Sequence, residues 1–118
     1  FFLPGTFGAE INEAVAPAIG ETLIVKNFPN SFRATNLQEA LTHQDIQHLT
    51  VAGMMTHMCI DTTVRAASDL GFKVELIGNA CATKNLTHGD RTVAAADVHA
   101  AYLAALDGTF ATVTEWEA

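Results

Sequence analysis

Val51-Ala52-Gly53-Met54-Met55-Thr56-His57-Met58-Cys59-Ile60-Asp61-Thr62-Thr63 places a thiol at the junction where a buried strand turns into a helix. Upstream, Leu49 to Met54 is apolar enough for a strand buried on both faces. Downstream, Val64, Ala67 and Leu70 recur at helical spacing until Gly71 stops the pattern. Cys59 therefore falls in the first turn of a helix. Unpaired backbone N–H groups and the positive end of the helix dipole favour an anion there, so a thiolate forms more readily than on a free cysteine.

Outward from this stretch, strand and helix patterns alternate. Residues 1–8 read as loop and Ala9 to Ala16 as a short helical turn closed by Pro17 and Gly20. Thr22 to Lys26 is β-branched and reads as a strand, followed by a loop from Asn27 to Thr35. Asn36 with Glu39 three residues on resembles a capping box, so a helix is predicted from Leu37 to Thr42 or His43. Lys73 to Ile77 reads as a strand, Asn79 to Asp90 as a polar loop, and Thr92 to Leu106 as an alanine-rich helix. That helix offers Val93, Ala96, Ala100, Leu103 and Leu106 as a buried stripe. Gly108 ends it, and Phe110 to Thr114 is a last strand. Such alternation predicts an α/β fold with a parallel sheet and helical crossovers, which binds ligands at the carboxyl ends of its strands. Lys26, the loop before Cys59 and the loop from Asn79 to Thr83 all lie at such ends.

At 118 residues and 49% hydrophobic content, the chain makes at most one domain. A net charge of -7 with six lysines and arginines argues against a nucleic-acid surface, which needs a basic stripe. Small molecules or protein partners fit better. Cys59 and Cys81 are too few for a disulfide framework and form no Cys-x-x-Cys pair, which suits a reducing cytoplasm. No apolar run approaches the roughly 18 residues of a membrane span, and nothing reads as a signal peptide.

A cysteine nucleophile needs a group to take its proton, donors to steady charge on the substrate oxygen, and a dry site. Lys26, ending an otherwise apolar strand, is a candidate cation beside the thiolate; its bland alternative is a surface lysine whose stem covers the sheet edge. His57 is close enough in sequence to be weighed as a base and Asp61 as an orienting group, although neighbours along a turn point in different directions. His88, in a polar loop, and His99, on a helix without a ligand-type partner at i+4, read as satisfied or exposed histidines rather than metal ligands. Cys81 reads as structural, Met54, Met55 and Met58 as packing around the thiol, and Asp69, Glu75 and Glu115 as solvated charge. No phosphate loop is present, and no metal or cofactor is assigned.

Gly53 to Ile60, with Thr62-Thr63-Val64-Arg65-Ala66-Ala67 and Leu70-Gly71-Phe72, closely resembles the nucleophile motif of the isochorismatase-like cysteine hydrolases. Ile24 to Phe32 with Thr35-Asn36-Leu37 resembles that family's lysine strand and following loop. Gly78 to Thr83 and Ala95 to His99 resemble its later loop and helix. The resemblance covers essentially the whole chain. It implies a three-layer αβα fold with a parallel Rossmann-like sheet, and an Asp-Lys-Cys triad that hydrolyses small amides. Carried over by motif, Cys59 would be the nucleophile and Lys26 would favour and position its thiolate. The backbone N–H groups of Met55 and Cys59 would form the oxyanion hole, helped by a cis peptide between Met54 and Met55. Phe28, Phe32 and Met58 suggest an apolar wall and Asn30 a polar contact, so Phe32, Asn30 and Met58 are the expected substrate-binding residues.

The family's aspartate has no match here. By the same resemblance, two N-terminal strands would lie between the Lys26 strand and the Cys59 strand, so residues 1–118 read as the C-terminal two-thirds of a single hydrolase domain. The family often forms dimers or tetramers, which makes a homo-oligomer the expectation. True isochorismatases lack the cysteine, so Cys59 points to amide hydrolysis. The alternative is a catalytically silent or redox-active thiol protein of the same fold that binds or oligomerises.

Overall fold

The strand predicted ahead of Cys59 is real, but it forms one edge of a parallel sheet and its residues are exposed or half-buried rather than buried on both faces. In the computed structural model, which describes residues 2–118, the elements are α1 (Leu37–His43), β1 (His48–Met54), a π-helical turn (Thr56–Ile60), α2 (Asp61–Asp69), β2 (Lys73–Ala82), β3 (Leu86–His88), β4 (Arg91–Val93), α3 (Ala95–Leu106) and β5 (Thr112–Thr114). Phe1, the first residue of the predicted opening loop, lies outside the described residues. β1, β2 and β5 pair in that order, all parallel, and β3 and β4 form a separate hairpin. This is the expected mixed α/β fold, a parallel sheet flanked by helices. No helix among the described residues is long and apolar enough to cross a membrane.

Val74 and Leu76 point from β2 into a core completed by Ile60, Val64 and Ala67 from the turn and α2, Leu106 from α3, and Ala111. The alternation of strand side chains puts Glu75 on the opposite face, where it accepts hydrogen bonds from Thr114 Oγ1 at 3.1 Å and Thr50 Oγ1 at 3.4 Å. Both helices thus cover one face, and Glu75 stays exposed on the other. Leu76 is 0% exposed at the centre of this packing. Leu76→Ala is expected to cost about 2–5 kcal/mol of stability, read as a lower urea midpoint with unchanged slope.

Several sequence expectations are corrected. Ala9 to Ala16 is not one helical turn but parts of two short 3₁₀ turns, Phe7–Ala9 and Glu13–Val15. Ile11 and Val15 are 47% and 74% exposed, so no buried face supports a longer helix. Thr22 to Lys26 runs without a ladder partner among the described residues and exposes Leu23 and Val25. β propensity alone does not make a strand, because the backbone needs a neighbour to pair with. Asn36 caps α1 through its backbone carbonyl, which accepts from Ala40 N–H at 2.9 Å, while Thr35 Oγ1 accepts from Leu37 N–H.

β2 runs five residues past its predicted end at Ile77, because the register with β1 slips after Val51↔Leu76 and resumes at Gly53↔Cys81. The predicted polar loop therefore contains the end of β2, all of β3 and the turn into β4. Gly89, at the first position of that hairpin's two-residue turn, has φ +61°, as a II′ turn requires. The last helix begins at Ala95, since Thr92 and Val93 belong to β4, and it buries Val98 and Leu106 while Ala96 and Ala100 are exposed. Beyond β5, the Asn79 side-chain amide holds the chain by donating to Trp116 O at 2.9 Å and accepting from Trp116 N–H at 2.8 Å.

Candidate active site

Cys59 sits in the π-turn that joins β1 to α2, half-buried. The Met55 carbonyl accepts from Met58 N–H at 2.9 Å and from Ile60 N–H at 3.3 Å, and the Cys59 amide between them does not join these bonds. The Met54–Met55 peptide is cis, as the resemblance implies. Thr62 Oγ1 donates to Met58 O at 2.6 Å, fastening the turn to the first residues of α2.

Lys26 reaches this turn from the other side. Its ammonium donates to Phe28 O at 2.9 Å, to Pro29 O at 3.3 Å and to Cys59 Sγ at 3.4 Å. An ammonium has three protons, and these are three acceptors, so the charge is aimed at the sulfur rather than left to sample solvent. The loop carrying those carbonyls is fixed by α2. Thr63 Oγ1 lies 3.2 Å from Pro29 O, to which it donates, and 3.1 Å from Ser31 Oγ, and it accepts from Ser31 N–H at 3.0 Å. Thr35 Oγ1 donates to Ser31 O at 2.6 Å one turn later.

A cavity of about 370 Å³ opens onto Lys26 and Cys59, with Pro4, Phe28, Pro29 and Met58 among its walls. It is apolar apart from the lysine, the thiol and Asn27, and no carboxylate lines it among the described residues. Arg33 stacks its guanidinium 3.8 Å from the Phe28 ring centroid and stiffens that wall. A wider groove of about 530 Å³ along α1 is lined by residues such as Thr35, Glu39 and His43, and no cysteine lines it among the described residues.

The structure brings Cys59, Lys26 and Met58 together, with Met55 immediately before the turn, and places two expected substrate contacts elsewhere. The Phe32 ring stacks on Phe72, centroids 5.9 Å apart, and packs against the core. Asn30 Oδ1 accepts from Phe32 N–H at 2.9 Å, so it shapes the loop, and neither residue lines the cavity. His57 is not paired with the thiol: its Nδ1 is 2.6 Å from Thr83 Oγ1 and its ring meets Tyr102 edge-on. Asp61 is bound to Arg65 at 2.9 Å. Sequence reasoning missed Thr56, fully buried and 2.9 Å from His99 Nδ1, and Thr63. A threonine hydroxyl at the start of a helical segment, able to bond across to a neighbouring element, is the signal that was available for both.

Cys81 is the second free thiol, and burial pushes it up from its ordinary value against a weaker opposing effect of a hydrogen bond with the Gly53 backbone. A raised value keeps Cys81 as the unreactive thiol at neutral pH, because the thiolate is the nucleophile. Limited iodoacetamide treatment followed by peptide mapping is expected to label Cys59 well before Cys81; the reverse order would contradict this placement.

The family model for the isochorismatase domain matches residues 1–118. The chain is 48% identical over 118 residues to the uncharacterised isochorismatase family protein YddQ of Bacillus subtilis, covering 100% of this chain and 66% of that protein. The Escherichia coli nicotinamidase is 30% identical over 103 residues, 83% of this chain and 46% of that enzyme. Among solved structures, an isochorismatase hydrolase structure from Oleispira antarctica superposes with a TM-score of 0.94 at 46% identity, covering 98% of this chain and 61% of that one. The chain thus spans just under two-thirds of the length of YddQ and of the Oleispira structure, and less than half of the nicotinamidase.

Proposed function

Because the chain belongs to the isochorismatase family, we propose that it serves a cysteine-dependent hydrolysis of C–N bonds in a small amide or ureido compound through a thioester acyl-enzyme. The observation that carries this reading is the Lys26 ammonium 3.4 Å from Cys59 Sγ, held there by two backbone carbonyls. A fixed positive charge stabilises the thiolate, which attacks the amide carbonyl carbon. The carbonyl oxygen takes up the electron pair against the N–H groups of Met55 and Cys59. Collapse of this intermediate breaks the C–N bond, and the departing nitrogen leaves as ammonia or an amine after gaining a proton. Water then attacks the thioester, releasing the acid and restoring the thiol.

The cavity beside Cys59 supports a small, largely apolar amide lying between Phe28 and Met58. No carboxylate lines the cavity among the described residues, and the proposed mechanism assigns the proton carrier to none of them. The unpaired segment from Thr22 to Lys26, with Leu23 and Val25 exposed, supports reading these residues as the C-terminal two-thirds of one hydrolase domain. A homo-oligomer packed through the exposed alanines of α3, Ala96, Ala100 and Ala104, is part of the same proposal.

One rival is a thiol that binds ligands or is oxidised without turning over amides, a role the free, half-buried Cys59 would also serve. Ammonia release from a panel including nicotinamide and ureido compounds, by the whole gene product, separates the two. Release supports the hydrolase; silence across the panel while Cys59 is alkylated readily favours the rival.

A further inference from the structure

The geometry points to Thr56 and His99 as positioning residues for the nucleophile turn, which they lock to α3 through a side-chain hydrogen bond. Thr56 opens the turn, directly after Met55 and three residues before Cys59, and is 0% exposed. Its hydroxyl is 2.9 Å from His99 Nδ1, on the same helix that buries Val98 at 4% exposure. A hydroxyl both donates and accepts, so the bond persists in either tautomer of the imidazole.

The need for such a lock follows from the turn itself. A π-turn carries an extra residue per turn and fewer well-aligned backbone bonds than the α-helix it enters. Here the Met55 carbonyl serves both Met58 and Ile60. Rotation of the Thr56 backbone would swing the Met55 amide and the Cys59 sulfur together, away from Lys26 and from a bound carbonyl. α3 is separated from Cys59 in sequence yet packs on this turn, so His99 supplies a fixed reference that the turn's own backbone does not. On the buried side Thr56 has this partner, and Thr83 holds the neighbouring His57 at 2.6 Å.

The role in turnover rests on Cys59 acting as an amidase nucleophile; the role in thiol placement does not. The test therefore reads both amide turnover and the rate of Cys59 alkylation in the gene product, alongside Thr56→Val, Thr56→Ser, His99→Ala and His99→Asn. Thr56→Val and His99→Ala are expected to lower kcat about 10- to 100-fold at nearly unchanged KM and to slow alkylation. His99→Asn, which keeps a polar atom near the Nδ1 position, and Thr56→Ser should recover most of both. The Val/Ala double variant should be no slower than its slower parent, because both remove one bond. Unchanged turnover and alkylation in Thr56→Val and His99→Ala would overturn the proposal, as would equal loss of folded structure in all four variants. An inactive parent whose alkylation still slows in the two variants would uphold the positioning and sink the amidase reading instead.

Discussion

Replacing Cys59 by alanine is expected to remove amide turnover by the gene product, a loss of at least about 10⁴-fold, while leaving the protein folded. The magnitude follows from the chemistry, since no other thiol or hydroxyl side chain lines the cavity between Phe28 and Met58 among the described residues. Without the sulfur no thioester forms, and water would have to attack an amide directly with only the backbone donors for help. Stability should change little, because Cys59 is half-buried in the turn and is absent from the core formed by Val64, Leu76 and Leu106. Ammonia release and a thermal unfolding curve on the same preparation check both halves. Turnover surviving in the folded variant would show that Cys59 is not the nucleophile.

Replacing Lys26 by methionine is the second large effect. Methionine preserves most of the stem but removes the charge and all three donated bonds, so turnover should fall roughly 10²- to 10³-fold. Alkylation of Cys59 at neutral pH should slow as well, since the thiolate loses the cation 3.4 Å from it. Both losses have one origin, and their joint appearance separates a catalytic lysine from a solvated one. Lys26→Arg should not restore the parent. A planar guanidinium cannot present three donors to Phe28 O, Pro29 O and Cys59 Sγ in the arrangement an ammonium makes. Parent-like turnover in either variant would remove Lys26 from the mechanism.

The strand, turn and helix around Cys59 were legible in the sequence because their apolar periods change from a continuous run to helical spacing within a few residues. The α3 stripe was legible only in part, at Leu103 and Leu106. Val98, Tyr102 and Leu106 face inward rather than Ala96 and Ala100, and an alanine-rich helix gives too little contrast for its register to be read. Thr22 to Lys26 showed strand composition, but pairing is a long-range property that composition does not contain. Phe32 looked like pocket wall because it lies in the right loop; its ring turns instead to Phe72, forty residues on. Lys26 is a candidate partner for Cys59 from its position in the sequence and from the family resemblance, and the cause of the contact lies in hydroxyls at Thr63 and Thr35 that no periodicity marks.

The Pro29 carbonyl is shared: Thr63 of α2 donates to it, and so does Lys26. Cys59, α2, Thr63, Pro29 and Lys26 therefore form a closed linkage in which both reacting partners are gauged from a common datum. Displacement of α2 against the sheet carries the sulfur and the ammonium along together, as common-mode motion, and leaves their separation nearly constant. A fluctuation that stretches a bond inside the ring, or that turns the nucleophile turn against α2 when Thr56 loses His99, alters the spacing. Thermal breathing of the fold and small repacking substitutions behind α2 should therefore be filtered out before they reach the reacting pair, whereas a lesion at Thr63 would open the ring and let the two drift independently.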